Sequence, residues 1–296
     1  MEFVEFETTD GLTLPGLLFV ADGSKKVAIR IHGNGSSSVF YDVNESMELP
    51  NELNKNGISL LKFNNRGAHI IKKLNVKVGN TIERKYFGCA YEEIKDCVLD
   101  IDAAVKFLES LGYEEFYLLG SSTGANKICV YNFYKRQNKT SKYVLTSAGD
   151  DTGLYYDALG DEKFFRLMYE SKKMIDEGKG EEIIKELLPD LFFSYKGFYD
   201  IANPDGDYNC FPVSEAVNGV KISTKPLFRY FETIEKPTLV VYGSEDEFAW
   251  GKVKETVKEM KSRKPKFEYK IVEDANHSFD GKKLELAKII SEWIIK

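Results

Sequence analysis

Glu115-Phe-Tyr-Leu-Leu119-Gly120-Ser121-Ser122-Thr123-Gly124 is the stretch on which the reading of this chain turns. Its first five residues form an apolar, aromatic-rich run of strand character, and the run Ala125 to Arg136 that follows has helical character. Between them stands Gly-x-Ser-x-Gly, in the strand–turn–helix setting that a nucleophile elbow requires. So sharp a turn strains the backbone at its serine and leaves no room for a Cβ at the flanking positions, which accounts for both glycines. The turn holds the Ser122 hydroxyl above the edge of a sheet. The Thr123 N–H opens the next helix, whose N-terminus favours negative charge.

On either side of the elbow, strands alternate with helices. Residues 2–8 alternate as a half-buried strand, Asp10-Gly11 marks a hairpin turn, and a second strand follows at 12–20, where Pro15 predicts an edge position. Val27–Ile31 is a third strand, ending in His32-Gly33-Asn34-Gly35. A helix over Glu45–Asn56 stops at Gly57, and Ile58–Phe63 is a strand closed by Asn64-Asn65-Arg66-Gly67. Residues 68–90 read as a polar excursion. Tyr91–Leu111 reads as one long amphipathic helix, with Ile94, Cys97, Val98, Ile101, Val105 and Leu108 at helical spacing. Beyond the elbow come strands at Lys142–Thr146, Pro237–Tyr242 and Phe267–Val272, a helix near 250–262 and a last helix from 281.

This order predicts an α/β fold: a mostly parallel central sheet with helices on both faces, made mixed by the opening hairpin. The alternation breaks between 150 and 230. Helical patches at Asp161–Glu177 and Glu181–Leu188 mix there with the aromatic stretch Phe192, Phe193, Tyr195, Phe198 and Tyr199 and the loop Asn203–Asp207. The block is expected to be a helical lid inserted into a single domain whose core is 1–149 and 231–296.

Composition narrows the function. The 296 residues are 43% hydrophobic and 13% aromatic, enough for a full core. A net charge of −6 with scattered lysines and arginines carries no electrostatic footprint for nucleic acid. The acidic, alternating Met1–Glu7 does not read as a signal peptide, and no 18 apolar residues run together. Cys89, Cys97, Cys129 and Cys210 form no regular framework, which suits reduced thiols. The expectation is a cytoplasmic protein with no membrane span.

A serine hydroxyl is a poor nucleophile until a base takes its proton. Of the three histidines, His32 sits within a glycine-rich turn that it can brace, and His69 follows a strand-end loop. His277, in Asp274-Ala-Asn-His-Ser-Phe279, lies just past the last strand, at the carboxyl edge that the elbow also faces. It is the candidate base. The base needs a carboxylate to hold its tautomer. Asp246, closing Gly243-Ser-Glu-Asp246 after a strand, is the candidate, with Glu245 and Glu247 as neighbours and Asp150 or Asp151 as runners-up. The order Ser122, Asp246, His277 favours Asp246. Oxyanion donors are expected from Thr123 N–H and from Asn34 N–H in the loop Gly33-Asn34-Gly35.

Taken together, His32-Gly33 after the third strand, Gly120-x-Ser122-x-Gly124, Gly243-x-x-Asp246 and His277 resemble the α/β-hydrolase family of serine esterases and lipases. The resemblance spans the chain apart from the insertion. More loosely, Phe63-Asn-Asn-Arg-Gly67 and Ala90-Tyr-Glu-Glu-Ile-Lys-Asp-Cys97 look like the branch that includes siderophore-hydrolysing esterases, although Ser121 stands where many relatives carry histidine. The family implies no cofactor and no metal, and no ligand spacing such as H-E-x-x-H occurs.

The leading expectation is therefore a serine hydrolase that cleaves a small or medium acyl ester or thioester through an acyl-enzyme. Its partner is a small-molecule ester, with Phe192, Phe193 and Tyr195 as candidate substrate contacts. The competing readings are an acyltransferase using the same acyl-enzyme and a non-catalytic binding protein on the same fold. Epoxide or haloalkane hydrolysis is disfavoured, because those relatives carry an aspartate where Ser122 stands.

Overall fold

Eight strands make the central sheet of the computed structural model, which describes residues 1–35, 38–41 and 47–296. In chain order they are β1 (Glu2–Glu7), β2 (Thr13–Phe19), β3 (Lys26–Ile31), β4 (Ile58–Phe63), β7 (Glu115–Ser121), β8 (Thr140–Thr146), β9 (Thr238–Gly243) and β10 (Glu268–Val272). Across the sheet the order is β1-β2-β4-β3-β7-β8-β9-β10. The first two ladders are antiparallel and all others parallel, the mixed sheet expected of a hairpin followed by β/α units.

The period of two along each strand divides the core between the two faces. Val27, Ile29, Ile31, Leu61 and Leu118 belong to the larger core, with residues of α2 (Cys97–Ser110), α3 (Thr123–Tyr134) and α8 (Val253–Arg263). Ala28, Leu60, Leu119 and Val144 belong to the other, with α1 (Glu48–Lys55) and α9 (Lys283–Ile294). These last two helices are also tied directly, since Asn56 Nδ2 donates to Ser291 Oγ at 2.7 Å. Glu45, where the sequence starts the first helix, lies outside the described residues.

Pro15 is not at an edge, because β2 runs between β1 and β4. It is tolerated because its carbonyl accepts from Asn64 N–H just beyond the last residue of β4. In an antiparallel strand the N–H and C=O of one residue point the same way, so the missing donor falls where that ladder stops.

The polar excursion at 68–90 is in fact a hairpin, β5 (Lys72–Val78) and β6 (Thr81–Phe87), joined by Gly79-Asn80. Leu74, Val76 and Val78 alternate with polar residues around a two-residue turn, so the signal was present but weak. Docking supplies the rest: Val76 bridges Leu12, and Lys77 N–H donates to the Gly11 carbonyl at 2.9 Å.

The long helix from Tyr91 begins six residues later, as α2 at Cys97, after two 3₁₀ turns at Cys89–Tyr91 and Ile94–Asp96. Glu92 between them is extended (φ −70°, ψ 132°), with its carboxylate turned inward onto Lys127 at 2.6 Å. An interior ion pair decides the backbone here, against helix propensity.

Four helices lie between β8 and β9: α4 (Asp151–Leu159), α5 (Asp161–Asp176), α6 (Tyr195–Ala202) and α7 (Val213–Asn218). Residues Glu181–Leu188 are not helical. Asp190, at φ 61°, turns the chain back after Pro189, so that Ile184 N–H donates to the Phe193 carbonyl and Ile183 bridges Ser194. Backbone groups spent across this reversal are not available to a helix.

Candidate active site

The elbow forms as its residue types dictate. Ser122 is the N-cap of α3 at φ 55°, ψ −130°, a conformation strained for any residue with a Cβ. A Cβ on Gly120 would strike the Gly124 carbonyl, and one on Gly124 would strike the carbonyl of Ile31 at the end of β3. Gly33 matters for the same reason: its Cβ would come within 2.9 Å of Ser122 Cβ and 3.3 Å of Thr123 N. The loop after β3 therefore lies against the elbow, with Asn34 on the rim of the cavity described below.

His277 arrives from the loop after β10. Its Nδ1 lies 2.8 Å from Asp246 Oδ1, and Asp246 also accepts from Phe248 N–H at 3.1 Å. Asp246 is 2% exposed and His277 14%, so the carboxylate is screened from water while the ring still faces outward. Glu247 holds the backbone, accepting from His277 N–H at 2.9 Å, and Ser147 Oγ donates to the His277 carbonyl at 3.1 Å. The Phe248 ring meets the imidazole edge-on, with centroids 4.6 Å apart. Of the neighbouring acids, then, Glu247 serves the main chain of His277 and Asp246 its ring.

The runner-up acids have other partners. Asp150 caps α4, accepting from Gly153 N–H at 2.8 Å and from Ser214 N–H at 2.7 Å. Asp151 accepts from the Thr123 hydroxyl at 3.1 Å. Burial raises both carboxyls, Asp150 to about 7 and Asp151 to about 6; the Thr123 hydroxyl and the charge of His277 partly offset the rise at Asp151. Asp151 nevertheless belongs to the site. A Cβ built on Gly149 would lie 3.6 Å from Asp151 Oδ2, 3.8 Å from Ser122 Oγ and 3.9 Å from Thr123 N, so these groups surround one small space.

The other histidines are placed as framework or apart. His32 is buried, with Nδ1 2.8 Å from the Gly33 carbonyl and Nε2 3.1 Å from Asn65 N. That pattern is a neutral ring donating from Nδ1 and accepting at Nε2, which pins the loop after β3 to the loop after β4. Burial, with Lys127 nearby, lowers its pKa to about 3 and keeps it neutral. His69 does not line the cavity.

Ser122 and His277 open onto one cavity of about 910 Å³, at the upper end of the range for small-molecule sites. The insertion contributes Tyr155, Leu191, Phe192 and Phe193 to its wall, and α1 and α9 contribute Leu49, Ala287 and Ile290. Phe193 is 2% exposed and packs edge-on against Tyr155, whereas Phe192 is 48% exposed. Tyr195, at the start of α6, is not among the lining residues.

Sequence reasoning missed Phe248, Gly149 and two charged wall residues, Arg30 and Lys62. The last two had a signal: each is the one charged residue inside an otherwise apolar or small-residue strand segment, Val27–Ile31 or Ile58–Phe63. Among the described residues, no group of three or more His, Cys, Asp or Glu side chains is set to hold a metal, and no helix is long and apolar enough to cross a membrane.

The family described as Protein of unknown function (DUF1749) matches residues 55–295. No curated protein matches the chain. Several solved structures share its fold. An esterase of Pyrococcus furiosus is 20% identical with a TM-score of 0.58, over 99% of this chain and 89% of that one. Est1E of Butyrivibrio proteoclasticus with ferulic acid bound is 14% identical with a TM-score of 0.64, over 99% and 98%. An esterase of Exiguobacterium antarcticum is 16% identical with a TM-score of 0.56, again over 99% and 98%.

Proposed function

The chain belongs to the DUF1749 family and has the α/β-hydrolase fold, and from that premise we propose that it is a serine hydrolase cleaving carboxylic esters, or thioesters, of small to medium acyl groups. The observation that carries the reading is the 2.8 Å contact of His277 Nδ1 with buried Asp246, in a ring that shares its cavity with the strained Ser122.

In the proposed reaction, Ser122 Oγ attacks the ester carbonyl while His277 Nε2 takes its proton. Asp246, accepting from Nδ1–H, holds the productive tautomer and stabilises the imidazolium. The backbone N–H groups of Thr123 and Asn34 receive the oxyanion; supporting this, Gly33 brings their two loops into van der Waals range. His277 then returns its proton to the leaving alcohol. Water, deprotonated by the same ring, releases the acid and restores Ser122.

Residues 150–230 act as a lid in this reading, since Tyr155, Phe192 and Phe193 close one side of the cavity. A cavity of about 910 Å³ has room for an acyl group and its leaving alcohol together. Esterases among the structural neighbours agree with the reaction class.

The test is labelling with a fluorophosphonate, wild type beside Ser122→Ala and His277→Ala. Loss of a triad member costs about 10⁴–10⁶ in rate, so both variants should stay dark. The wild type should also show higher kcat/KM on C2–C8 than on long-chain p-nitrophenyl esters. A folded wild type that neither labels nor turns over an ester overturns the reading.

A further inference from the structure

Arg30 and Lys62 are oddly placed for structural residues. On β3, Ala28 and Arg30 point to the α1/α9 face of the sheet, as do Leu60 and Lys62 on β4. The ladder sets Arg30 beside Lys62 on one side and Leu119 on the other, so two cations stand next to each other in one row. Both line the cavity that holds Ser122. Lys283 from α9 and Glu48 from α1 line the same cavity.

The Arg30 guanidinium has five donors and, among the described residues, neither a hydrogen bond nor an ion pair. Burial lowers the pKa of both side chains, that of Lys62 to about 7, where the charge of Arg30 adds to the lowering and Glu48 opposes it. A structural arginine in a sheet interior is normally matched to a carboxylate, as Arg66 is to Asp100 at 2.8 Å. Arg30 instead presents a planar fork to a space large enough for a ligand. Leu119, its neighbour in the row, precedes Ser122 by three residues, so the fork's strand position lies roughly 10 Å below the nucleophile.

We propose that this wall is an anion subsite of the catalytic cavity, and that the substrate is an ester carrying a carboxylate on a short spacer. Arg30 takes the carboxylate in a bidentate pair. The inference deepens the hydrolase reading and rests on it.

The test compares p-nitrophenyl hemiesters of C5–C8 dicarboxylic acids, and acetate esters of ω-hydroxy acids, with their neutral methyl-capped counterparts. Wild type should favour the charged member of at least one series tenfold or more in kcat/KM, mainly through KM. Arg30→Met should bring that ratio close to one, with the melting temperature near that of wild type. Arg30→Lys should keep part of the preference. A wild-type ratio near one in both series, or a ratio that survives Arg30→Met, overturns the proposal.

Calorimetric titration with suberate separates the two readings. Suberate binding lost in Arg30→Met, without hydrolysis of any ester, would sink the hydrolase and keep the subsite. Ester turnover with no charge preference would do the reverse.

Discussion

Two polar clusters sit at the carboxyl edge of the same sheet, and they differ in how completely their groups are matched. In the loop after β4, Asn65 N–H donates to His32, Asn65 Oδ1 accepts from Gly67 N–H and Lys127, and Lys127 pairs with Glu92. Arg66 in turn meets Asp10, Asp96 and Asp100. Around the elbow the matching is partial: Asp246 is matched to His277, but Ser122, the outer edge of His277 and Arg30 face the cavity. Matched buried charge makes a rigid frame, and unmatched groups are held ready for a ligand by that frame. The contrast also explains the sequence motifs Phe63–Gly67 and Ala90–Cys97. They are two halves of the frame, joined where Arg66 meets Asp96 and where Glu92 packs so close to Gly67 that no Cβ fits.

The sharpest way to break the contrast is within the partly matched cluster. Asp246→Asn leaves the shape intact but presents the wrong hydrogen-bond partner to Nδ1. It should lower kcat about 10⁴-fold, roughly 5.5 kcal/mol of barrier, with little change in melting temperature. Steady-state kinetics beside thermal melting checks both halves, and a kcat within tenfold of wild type would move the acid's role elsewhere.

Next in size is the matched cluster. Glu92→Ala leaves Lys127, fully buried, without its carboxylate, and should cost about 3–5 kcal/mol of stability in urea unfolding. Below its unfolding transition the variant should still label at Ser122 at a rate near that of wild type. Unchanged stability would mean that the pair is not part of the frame.

Asp151 gives the smallest and most specific effect. Its folded pKa of about 6 lies above the ordinary 3.8, so its contribution to stability is present below pH 3.8 and is lost as pH rises through 6. After allowance for screening by water in the cavity, wild type should lose about 1–2 kcal/mol between pH 4 and pH 8 that Asp151→Asn retains. Parallel stability–pH curves for the two proteins would show that Asp151 is solvated and unshifted.

Much of this was legible without coordinates where the signal is local. The elbow needs two glycines around a serine, and Gly120 and Gly124 are required by contacts within a few residues or with the adjacent strand. Strands such as β3, β4, β7 and β9 announced themselves as apolar runs, and the order Ser122, Asp246, His277 follows from which strands end at one edge. Legibility failed where partners are distant. Glu92 interrupts a helical pattern because Lys127, thirty-five residues on, takes its carboxylate, and Glu181–Leu188 gives up a helix to pair with residues beyond Pro189.

By itself, then, the sequence determined the mixed α/β sheet, the elbow and the residue types of the site, because periodicity and backbone sterics act over a few residues. Tertiary structure alone decided that Glu247 meets the main chain of His277 and that Asp151 stands beside Ser122. It alone also turned Arg30 and Lys62 to one cavity wall. These are distances between elements far apart in the chain, set by how strands align and helices pack, and no local spacing encodes them.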